Sequence, residues 1–132
     1  MDIKLVQLQR HGDARGSLVS VEDQNNVPFV IRRVYYLFDT KADVRRGFHA
    51  HKQLSQMAIV VRGSCRFHLD DGAETVEFSL DNPAQGLMLP PMLWHEMYDF
   101  SEDCVLMVLA DGHYDESDYV RNHEEFIKLA KR

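Results

Sequence analysis

Short segments in which apolar and polar residues alternate recur along the chain, and turn-forming residues separate them. The clearest example is the pair of segments 65–69 and 76–80, which flank an Asp-Asp-Gly-Ala turn. Successive side chains of a β-strand point to opposite faces, so each segment has one apolar face. The pair therefore predicts a β-hairpin that faces a single core with Cys65, Phe67, Leu69, Val76, Phe78 and Leu80.

Further segments have the length and composition of short strands, namely 3–8, 17–22, 30–38, 47–51, 56–61, 86–89, 95–99 and 104–109. The prolines lie between these segments, as expected because proline cannot donate a hydrogen bond within a sheet. About ten short strands are typical of an all-β barrel or a double-sheet jelly-roll sandwich.

The end of the chain, from residue 117 to residue 132, has a helical pattern instead. Asp115 or Ser117 is expected to cap this helix, and the basic side chains of Lys128, Lys131 and Arg132 suit its C-terminal end. Its mostly apolar stripe would consist of Tyr119, His123, Phe126, Ile127 and Ala130. We therefore expect an all-β fold with a short C-terminal α-helix packed onto a sheet.

The chain of 132 residues fits one domain spanning 1–132, because a single hydrophobic core commonly serves a chain of this size. Its net charge of −6 disfavours nucleic acid and anionic membranes as partners, since both attract positive surfaces. No apolar segment approaches the roughly 20 residues that span a bilayer, and the charged N-terminal segment lacks the pattern of a secretory signal. We expect a cytoplasmic protein in which Cys65 and Cys104 are buried free thiols.

The segment 47–51, Gly-Phe-His-Ala-His, places two histidines two residues apart on a predicted strand. His49 and His51 should then point to one side, while Phe48 and Ala50 pack on the other. Two ordinary solvated histidines would give the same pattern. Imidazole is, however, the side chain that titrates nearest to neutral pH, so the pair also suits a site of proton transfer.

These histidines belong to a longer spacing pattern that resembles the two motifs of the cupin superfamily. The first motif is matched in spacing by His49, His51, Gln56 and Gly63, with Asp43 in place of its first glycine. The second motif is matched by Pro90 and His95, whereas Ala84, Met92 and Asp99 depart from it. The resemblance implies a cupin jelly-roll fold with a third histidine, His95, near the pair.

In metal-binding cupins a glutamate stands where this chain has Gln56. A neutral amide oxygen is a poorer metal ligand than a carboxylate, although three neutral imidazoles could coordinate zinc. We expect neither a metal nor another cofactor.

A closer resemblance, to the sugar 3,4-ketoisomerases, is carried by the segments 13–18, 33–36, 46–52 and 94–96. Members of that family are small cupin dimers that act on a dTDP-linked 4-keto-6-deoxyhexose and supply precursors of aminated sugars in bacterial surface glycans. The resemblance implies that this chain, as a homodimer, converts dTDP-4-dehydro-6-deoxy-D-glucose to a 3-keto isomer.

This reaction needs a base that is neutral near pH 7, because the keto group at C4 acidifies the C3 hydrogen and its removal gives an enediol. We expect His51 to be this base and His49 to carry a proton between the oxygens at C3 and C4. His95 should line the same cavity. Tyr35, Gln56 or His95 would donate a hydrogen bond to the developing enolate oxygen.

The diphosphate of such a substrate requires local positive charge, which guanidinium groups supply well. Arg33 and Arg46 are the first candidates, followed by Arg15. Trp94, Met57 or Phe29 could form a wall for the thymine ring. The predicted strand 3–8 is a plausible edge for pairing two subunits.

Three other functions stay open at this point. A dTDP-sugar 3,5-epimerase begins with the same proton abstraction but pairs its histidine base with a catalytic tyrosine. A metal-dependent cupin oxygenase is disfavoured by Gln56, and a non-catalytic module that binds a sugar nucleotide would need the pocket without the histidine pair. The configuration at C4 of a ketoisomerase product, galacto or gluco, also stays open.

Overall fold

Short strands are the main regular secondary structure of residues 1–131, the part of the chain that the computed structural model describes. The strands are β1 (Leu5–Gln7), β2 (Arg10–Asp13), β3 (Gly16–Val19), β4 (Arg33–Leu37), β5 (Arg46–His51), β6 (Gln56–Arg62), β7 (Cys65–Asp70), β8 (Thr75–Leu80), β9 (Gln85–Leu89), β10 (Trp94–Tyr98), β11 (Val105–Ala110) and β12 (Tyr119–Val120). A 3₁₀ turn (Glu116–Asp118) precedes β12, and one helix, α1 (His123–Ala130), follows it. The part assigned to Arg132 at the helix end lies outside the described residues.

The strands form two five-stranded antiparallel sheets and a separate hairpin. Sheet 1 has the order β1-β9-β6-β11-β4, and sheet 2 has the order β12-β5-β10-β7-β8. The hairpin consists of β2 and β3. This arrangement confirms the predicted all-β cupin architecture, a double-sheet jelly roll with a short C-terminal helix.

The main core lies between the two sheets. The predicted hairpin is confirmed, with Cys65 opposite Leu80, Phe67 opposite Phe78, and Leu69 opposite Val76. Phe67, Leu69 and Leu80 are fully buried in this core beside side chains of β6 and β11. Cys65 and Cys104 are free and buried here, and burial raises the pKa of the Cys65 thiol.

A different segment of the chain packs against the outer face of each sheet. Residues 19–31 pack over sheet 1 and bury Val27 completely. Helix α1 packs over sheet 2, where Phe126 contacts a cluster that contains Ala50 and Trp94. Within the described residues, neither helical segment is long and apolar enough to cross a membrane.

The helix begins later than predicted. Asn122 is its N-cap, and the Asn122 side chain accepts a hydrogen bond from the backbone N–H of Glu125 at 3.0 Å. Asp115 caps the 3₁₀ turn instead. Placing Tyr119 on the helix was wrong, because the edge of β5 offers its backbone a partner: Tyr119 pairs with His51 in the sheet.

Some strands are shorter than predicted, and one strand besides β12 was not predicted at all. The segment 30–38 contributes only Arg33–Leu37, and 17–22 is replaced by Gly16–Val19. The unpredicted strand Arg10–Asp13 pairs with Gly16–Val19, so both protrude from the sandwich as an exposed hairpin.

A bulge interrupts β5 just before the two histidines. Gly47 pairs with Glu96 and His49 pairs with His95, so Phe48 is an extra residue between them. Gly47 and Phe48 both have positive φ, 96° and 58°. A side chain at Gly47 would lie 2.7 Å from the carbonyl oxygen of His95, so only glycine fits this close approach. The prediction that Phe48 packs inside was wrong, because the bulge leaves it 44% exposed.

Candidate active site

One cleft opens between the two sheets at the end where β4, β5 and β12 meet. It has a volume of about 360 Å³ and is lined by Arg33, Tyr35, Leu37, Arg46, Gly47, His49, Met97, Tyr114, Tyr119 and Arg121. Sheet 1 contributes the residues of β4, and sheet 2 contributes those of β5, β10 and β12. Because alternate residues of each strand face the space between the sheets, both sheets supply polar side chains to one site.

Three histidines cluster at this site, as predicted from the two sequence motifs. The ring centroid of His49 lies 4.5 Å from that of His95 and 5.1 Å from that of His51. His51 and His95 are buried, whereas His49 is partly exposed to the cleft. The bulge at Gly47 sets the register that brings His49 opposite His95.

The hydrogen bonds of these imidazoles determine where their protons lie. Nδ1 of His49 is 3.0 Å from the carbonyl oxygen of Gly47, and Nδ1 of His95 is 3.2 Å from that of Leu93. A carbonyl oxygen can only accept, so Nδ1 carries the proton in both rings and Nε2 carries a lone pair. His51 has a similar bond, from Nδ1 to the Asp118 carboxylate at 3.2 Å.

Burial keeps the three rings neutral. It lowers the pKa of His51 to about 4, with help from the neighbouring His49, and it lowers the pKa of His95 to about 3. The pKa of His49 is also lowered, chiefly by burial. All three imidazoles are therefore proton acceptors at neutral pH. A donor role for His95 at the enolate oxygen does not fit this geometry, because its one proton is bound to the Leu93 carbonyl.

Tyr35 and Gln56 face the histidines from sheet 1. The Gln56 side-chain amide donates to the Tyr35 hydroxyl oxygen at 2.8 Å, which leaves the hydroxyl proton available to another acceptor. Burial raises the pKa of Tyr35, so this hydroxyl stays protonated. Tyr36 points the opposite way and is 63% exposed. Of the two adjacent tyrosines, Tyr35 is the one that enters the cleft.

Two of the three predicted arginines line the cleft. Arg33 is partly buried, with its guanidinium 5.1 Å from the ring centroid of Tyr35, and Arg46 lies exposed at the rim. Arg15 lies elsewhere, at the tip of the β2–β3 hairpin, where it forms an ion pair with Asp13 at 2.6 Å. The site therefore has positive charge at its mouth although the whole chain is acidic.

The residues expected to form a wall for the thymine ring do not line the cleft. Met57 points to the outer face of sheet 1 because its neighbour Gln56 points inward. Trp94 lies on the outer face of sheet 2 beneath helix α1, and its Nε1 donates to Glu96 at 2.7 Å. Phe29 packs with Met57 in the outer cluster.

The segment that crosses the cleft before helix α1 was missed as part of the site. Tyr119 packs against the histidines in a tilted arrangement, with its ring centroid 4.3 Å from that of His51. The Arg121 guanidinium lies 4.1 Å from the Tyr119 ring centroid and forms two hydrogen bonds with Glu116, at 2.7 and 2.9 Å. The sequence did contain a signal for this segment, because Tyr119 and Arg121 are two residues apart, as side chains on one face of a strand are. The prediction of a helix over residues 117–132 left this spacing unused.

Polar atoms without protein partners concentrate at this site. Within the described chain, the buried atoms that have no hydrogen-bond partner in the protein include Nε2 of His49, Nε2 of His51, Nε of Arg33 and Oε1 of Gln56. Buried polar groups are almost always paired, so this concentration is typical of a surface that binds a polar ligand. Within residues 1–131, no group of three or more His, Cys, Asp or Glu side chains has an arrangement that would hold a metal ion as it stands.

A double-sheet jelly roll with neutral imidazoles, a tyrosine hydroxyl and arginines in one cleft defines a cupin suited to acid–base chemistry on an anionic substrate. The family model described as "FdtA: WxcM-like, C-terminal" matches residues 1–131. A curated relative from Aneurinibacillus thermoaerophilus, a TDP-4-oxo-6-deoxy-alpha-D-glucose-3,4-oxoisomerase, is 53% identical over 128 residues, covering 97% of this chain and 92% of the relative. The chain belongs to this family and is a sugar 3,4-ketoisomerase.

Solved structures agree with this assignment. A 3,4-ketoisomerase from Helicobacter canadensis has a TM-score of 0.96 at 40% identity, and the match covers 100% of this chain and 99% of that one. A mutant 3,4-ketoisomerase from Thermoanaerobacterium thermosaccharolyticum, in complex with TDP-4-keto-6-deoxyglucose, has a TM-score of 0.96 at 40% identity, covering 98% of this chain and 94% of that one.

Proposed function

We propose that this enzyme converts dTDP-4-dehydro-6-deoxy-D-glucose to its 3-keto isomer by proton transfer through an enediol. The relative from Aneurinibacillus thermoaerophilus is named for the TDP-4-oxo sugar, and a solved neighbour is bound to it. The product would serve the synthesis of 3-amino-3,6-dideoxy sugars for surface polysaccharides.

His51 is the proposed base. Its Nε2 has no hydrogen-bond partner among residues 1–131, and the ring is neutral because burial lowers its pKa to about 4. In the first step Nε2 takes the C3 proton, and the electrons of the C–H bond enter the enediolate. His49, with its ring centroid 5.1 Å from that of His51, then moves a proton between the oxygens at C3 and C4. Return of a proton to C4 completes the isomerisation with no external oxidant.

The developing enolate oxygen needs donors, and sheet 1 supplies them. The Tyr35 hydroxyl is protonated and free to donate, and Gln56 holds it in place by a 2.8 Å hydrogen bond. Fixed donors lower the barrier because they need not reorganise as the charge develops. His95 is proposed to pack against His49 and accept a hydrogen bond from a sugar hydroxyl.

Arg33 and Arg46 are proposed to bind the diphosphate. They stand on β4 and β5, on opposite sides of the cleft mouth. Planar guanidinium groups bind phosphate oxygens with two parallel hydrogen bonds. Arg15 is proposed as a third phosphate ligand only when the β2–β3 hairpin meets a second subunit, since it lies outside this cleft.

The observation that carries the proposal is the pair of unpartnered imidazole Nε2 atoms of His49 and His51 beside a cleft with two arginines. Proton NMR with dTDP-4-dehydro-6-deoxyglucose in D₂O tests it. We expect deuterium at C3 and C4 and a new 3-keto sugar, whose C4 coupling gives the configuration. Exchange at C3 and C5 without carbonyl migration would indicate an epimerase, and dTDP binding without exchange would indicate a binding module.

We also propose that the enzyme is a cytoplasmic homodimer. Edge strand β4 and the residue that follows it expose an apolar row of Val34, Tyr36 and Phe38 on the outer side, and such an edge suits pairing with a second copy. The free buried thiols of Cys65 and Cys104 suit a reducing compartment. Light scattering should give twice the chain mass for the wild type and a single chain mass for Tyr36→Glu; a monomeric wild type would contradict the dimer.

A further inference from the structure

Asp118 is the only carboxylate within residues 1–131 that hydrogen bonds to one of the three clustered histidines. Its Oδ2 lies 3.2 Å from Nδ1 of His51. The contact is largely shielded from water, since the His51 side chain is 4% exposed and that of Asp118 is 16% exposed. Asp118 is the last residue of the 3₁₀ turn that leads into β12.

The backbone of the β5–β6 loop fixes the position of this carboxylate. Oδ1 accepts a hydrogen bond from the N–H of Gln53 at 2.8 Å, and Oδ2 accepts one from the N–H of Leu54 at 3.2 Å. The Asp118 carbonyl oxygen also accepts a bond from the N–H of Lys52 at 2.9 Å. A side chain held at both carboxylate oxygens has little freedom to turn away from His51.

The contact determines the tautomer of His51. A carboxylate can only accept, so Nδ1 of the neutral ring must carry the proton and Nε2 must carry the lone pair. Nε2 is the buried nitrogen to which no described protein group hydrogen bonds. When Nε2 takes up a proton, the ring becomes a cation that remains hydrogen bonded to the negative charge of Asp118.

We infer that Asp118 is a positioning residue for the isomerisation: it holds His51 in the tautomer whose Nε2 can accept the C3 proton, and it stabilises the imidazolium that results. The inference rests on the proposed role of His51 as the base. In the transfer, the C3 proton moves to Nε2, the electrons of the C–H bond enter the enediolate, and the proton on Nδ1 stays in place.

The variant Asp118→Asn reverses the demand on the His51 tautomer and keeps one of the two side-chain bonds to the loop. Its amide oxygen can still accept the N–H of Gln53, whereas the NH₂ in place of Oδ2 cannot accept the N–H of Leu54; it donates toward Nδ1 of His51 and favours the opposite tautomer. Asp111→Asn is the matched control. Asp111 also anchors the β5–β6 loop, through a 3.0 Å bond from the Ser55 N–H to its Oδ1, and it hydrogen bonds to no histidine within residues 1–131.

The first measurement is ¹⁵N NMR of histidine-labelled enzyme without substrate at pH 7, with the His51 signals identified from His51→Asn. We expect a protonated Nδ1 and an unprotonated Nε2 in the wild type and in Asp111→Asn, and the reverse in Asp118→Asn. A wild-type ring protonated at Nε2 would overturn the inference without any variant, even if Asp118→Asn failed to fold. An unchanged tautomer in folded Asp118→Asn would also overturn it.

The second measurement is solvent exchange at C3 of the dTDP-4-keto sugar. Asp118→Asn should lower kcat and C3 exchange by about 10²-fold or more with little change in KM, because correct general-base catalysis contributes that much. Asp111→Asn should stay within about twofold of the wild type. An equal loss of kcat and C3 exchange in both variants would overturn the inference, because it would show that the effect comes from the position of the β5–β6 loop. If the wild type itself showed no C3 exchange, the proposed base would be wrong, whereas the tautomer result would still test the Asp118 contact.

Discussion

His49 and His51 come from one strand but lie in different surroundings, and this difference distinguishes their proposed roles. His51 is almost completely buried and faces a carboxylate, whereas His49 borders the cleft and contacts both other histidines. A base needs a fixed orientation toward one carbon. A shuttle must reach two oxygens, so it must lie closer to the substrate space.

Replacing His51 with asparagine should abolish exchange of the C3 hydrogen with solvent, because asparagine keeps the approximate volume and polarity but has no basic nitrogen. Binding of dTDP should change by less than about threefold, since His51 is buried behind the arginines of the cleft mouth. NMR in D₂O measures the exchange, and calorimetry measures binding. His68→Asn, on the outer face of sheet 2, is the control. Exchange retained in His51→Asn would assign the base to another residue.

Replacing His49 with asparagine should produce a different defect. Net formation of the 3-keto sugar should fall by about 10²-fold or more, while C3 exchange should fall much less, because the base would remain and the transfer between oxygens would not. Both rates come from one NMR time course in D₂O. Equal losses of exchange and of net conversion would contradict the division of roles between the two histidines.

Arg33 should contribute directly to nucleotide binding. Its buried Nε has no protein partner within the described chain, so Arg33→Ala should weaken dTDP binding by about tenfold or more and reduce its dependence on salt. Arg32→Ala is a matched control, because Arg32 is adjacent, exposed and outside the cleft lining. Calorimetry at two salt concentrations makes the measurement. If Arg33→Ala and the wild type bound dTDP with equal affinity, Arg33 would not take part in nucleotide binding.

Among the elements, β5 shows how a local irregularity positions a site. Its bulge at Gly47 and Phe48 brings His49 opposite His95 although a regular strand would shift the pairing by one residue. The close approach of β5 to β10 at this point leaves no space for a Cβ atom.

The substitution Gly47→Ala should therefore lower the free energy of unfolding by about 1–3 kcal/mol and reduce activity as well. The new Cβ would lie 2.7 Å from the His95 carbonyl oxygen, on a backbone with φ of 96°. Gly16→Ala is informative for comparison, because Gly16 also has positive φ but has nothing within 4 Å of its Cβ position. Urea unfolding measures both variants. If Gly47→Ala lost less free energy of unfolding than Gly16→Ala, the close approach of β5 to β10 would not be what requires glycine at position 47.

The strands and the histidine cluster were predictable because their signal is local alternation. The hairpin of β7 and β8, the shared side of His49 and His51, and the entry of one tyrosine of β4 all follow from a period of two residues. The bulge was not predictable, because it depends on the fit of β5 against β10, which lies more than forty residues away by number. Tyr119 and Asp118 were missed for a related reason. A short segment with helical composition became a strand when the edge of β5 supplied hydrogen bonds.

At the scale of the whole molecule, burial of neutral histidines links folding to pH. The pKa of His51 is lowered to about 4 and that of His95 to about 3, whereas an unfolded histidine titrates near about 6.5. Below that value the unfolded chain binds protons that the folded protein does not. The stability that these neutral histidines contribute is therefore complete above about pH 6.5 and is lost progressively as the pH falls toward the folded-state pKa values of about 4 and about 3.

The urea midpoint should accordingly be lower at pH 5 than at pH 7.5, and the difference should shrink in His95→Gln, which cannot be protonated. The exposed His113 is the control, because His113→Gln should keep the full wild-type difference. The comparison of variants separates the histidine contribution from that of the carboxylates, several of which also have shifted pKa values. The same pH difference in His95→Gln and the wild type would show that His95 is not responsible.

The proposed dimer also concerns the whole molecule, since the exposed β2–β3 hairpin and the apolar row of Val34, Tyr36 and Phe38 have no partner within the described chain. Both are features that a single copy leaves open to water, and a second copy would cover them.

Next to the histidines, the two sheets present opposite hydrogen-bonding character to the cleft, while Arg46 of sheet 2 adds donors at its rim. Sheet 2 offers lone pairs from its imidazoles, and sheet 1 offers the hydroxyl proton of Tyr35 and the N–H groups of Arg33. A sugar ring lying between these walls would be favoured with its C3–H bond toward the lone pairs and its carbonyl oxygen toward the donors. A ring turned over would place oxygen against lone pairs and lose both interactions. The two walls would thereby select the orientation in which the sugar binds before any one residue reacts.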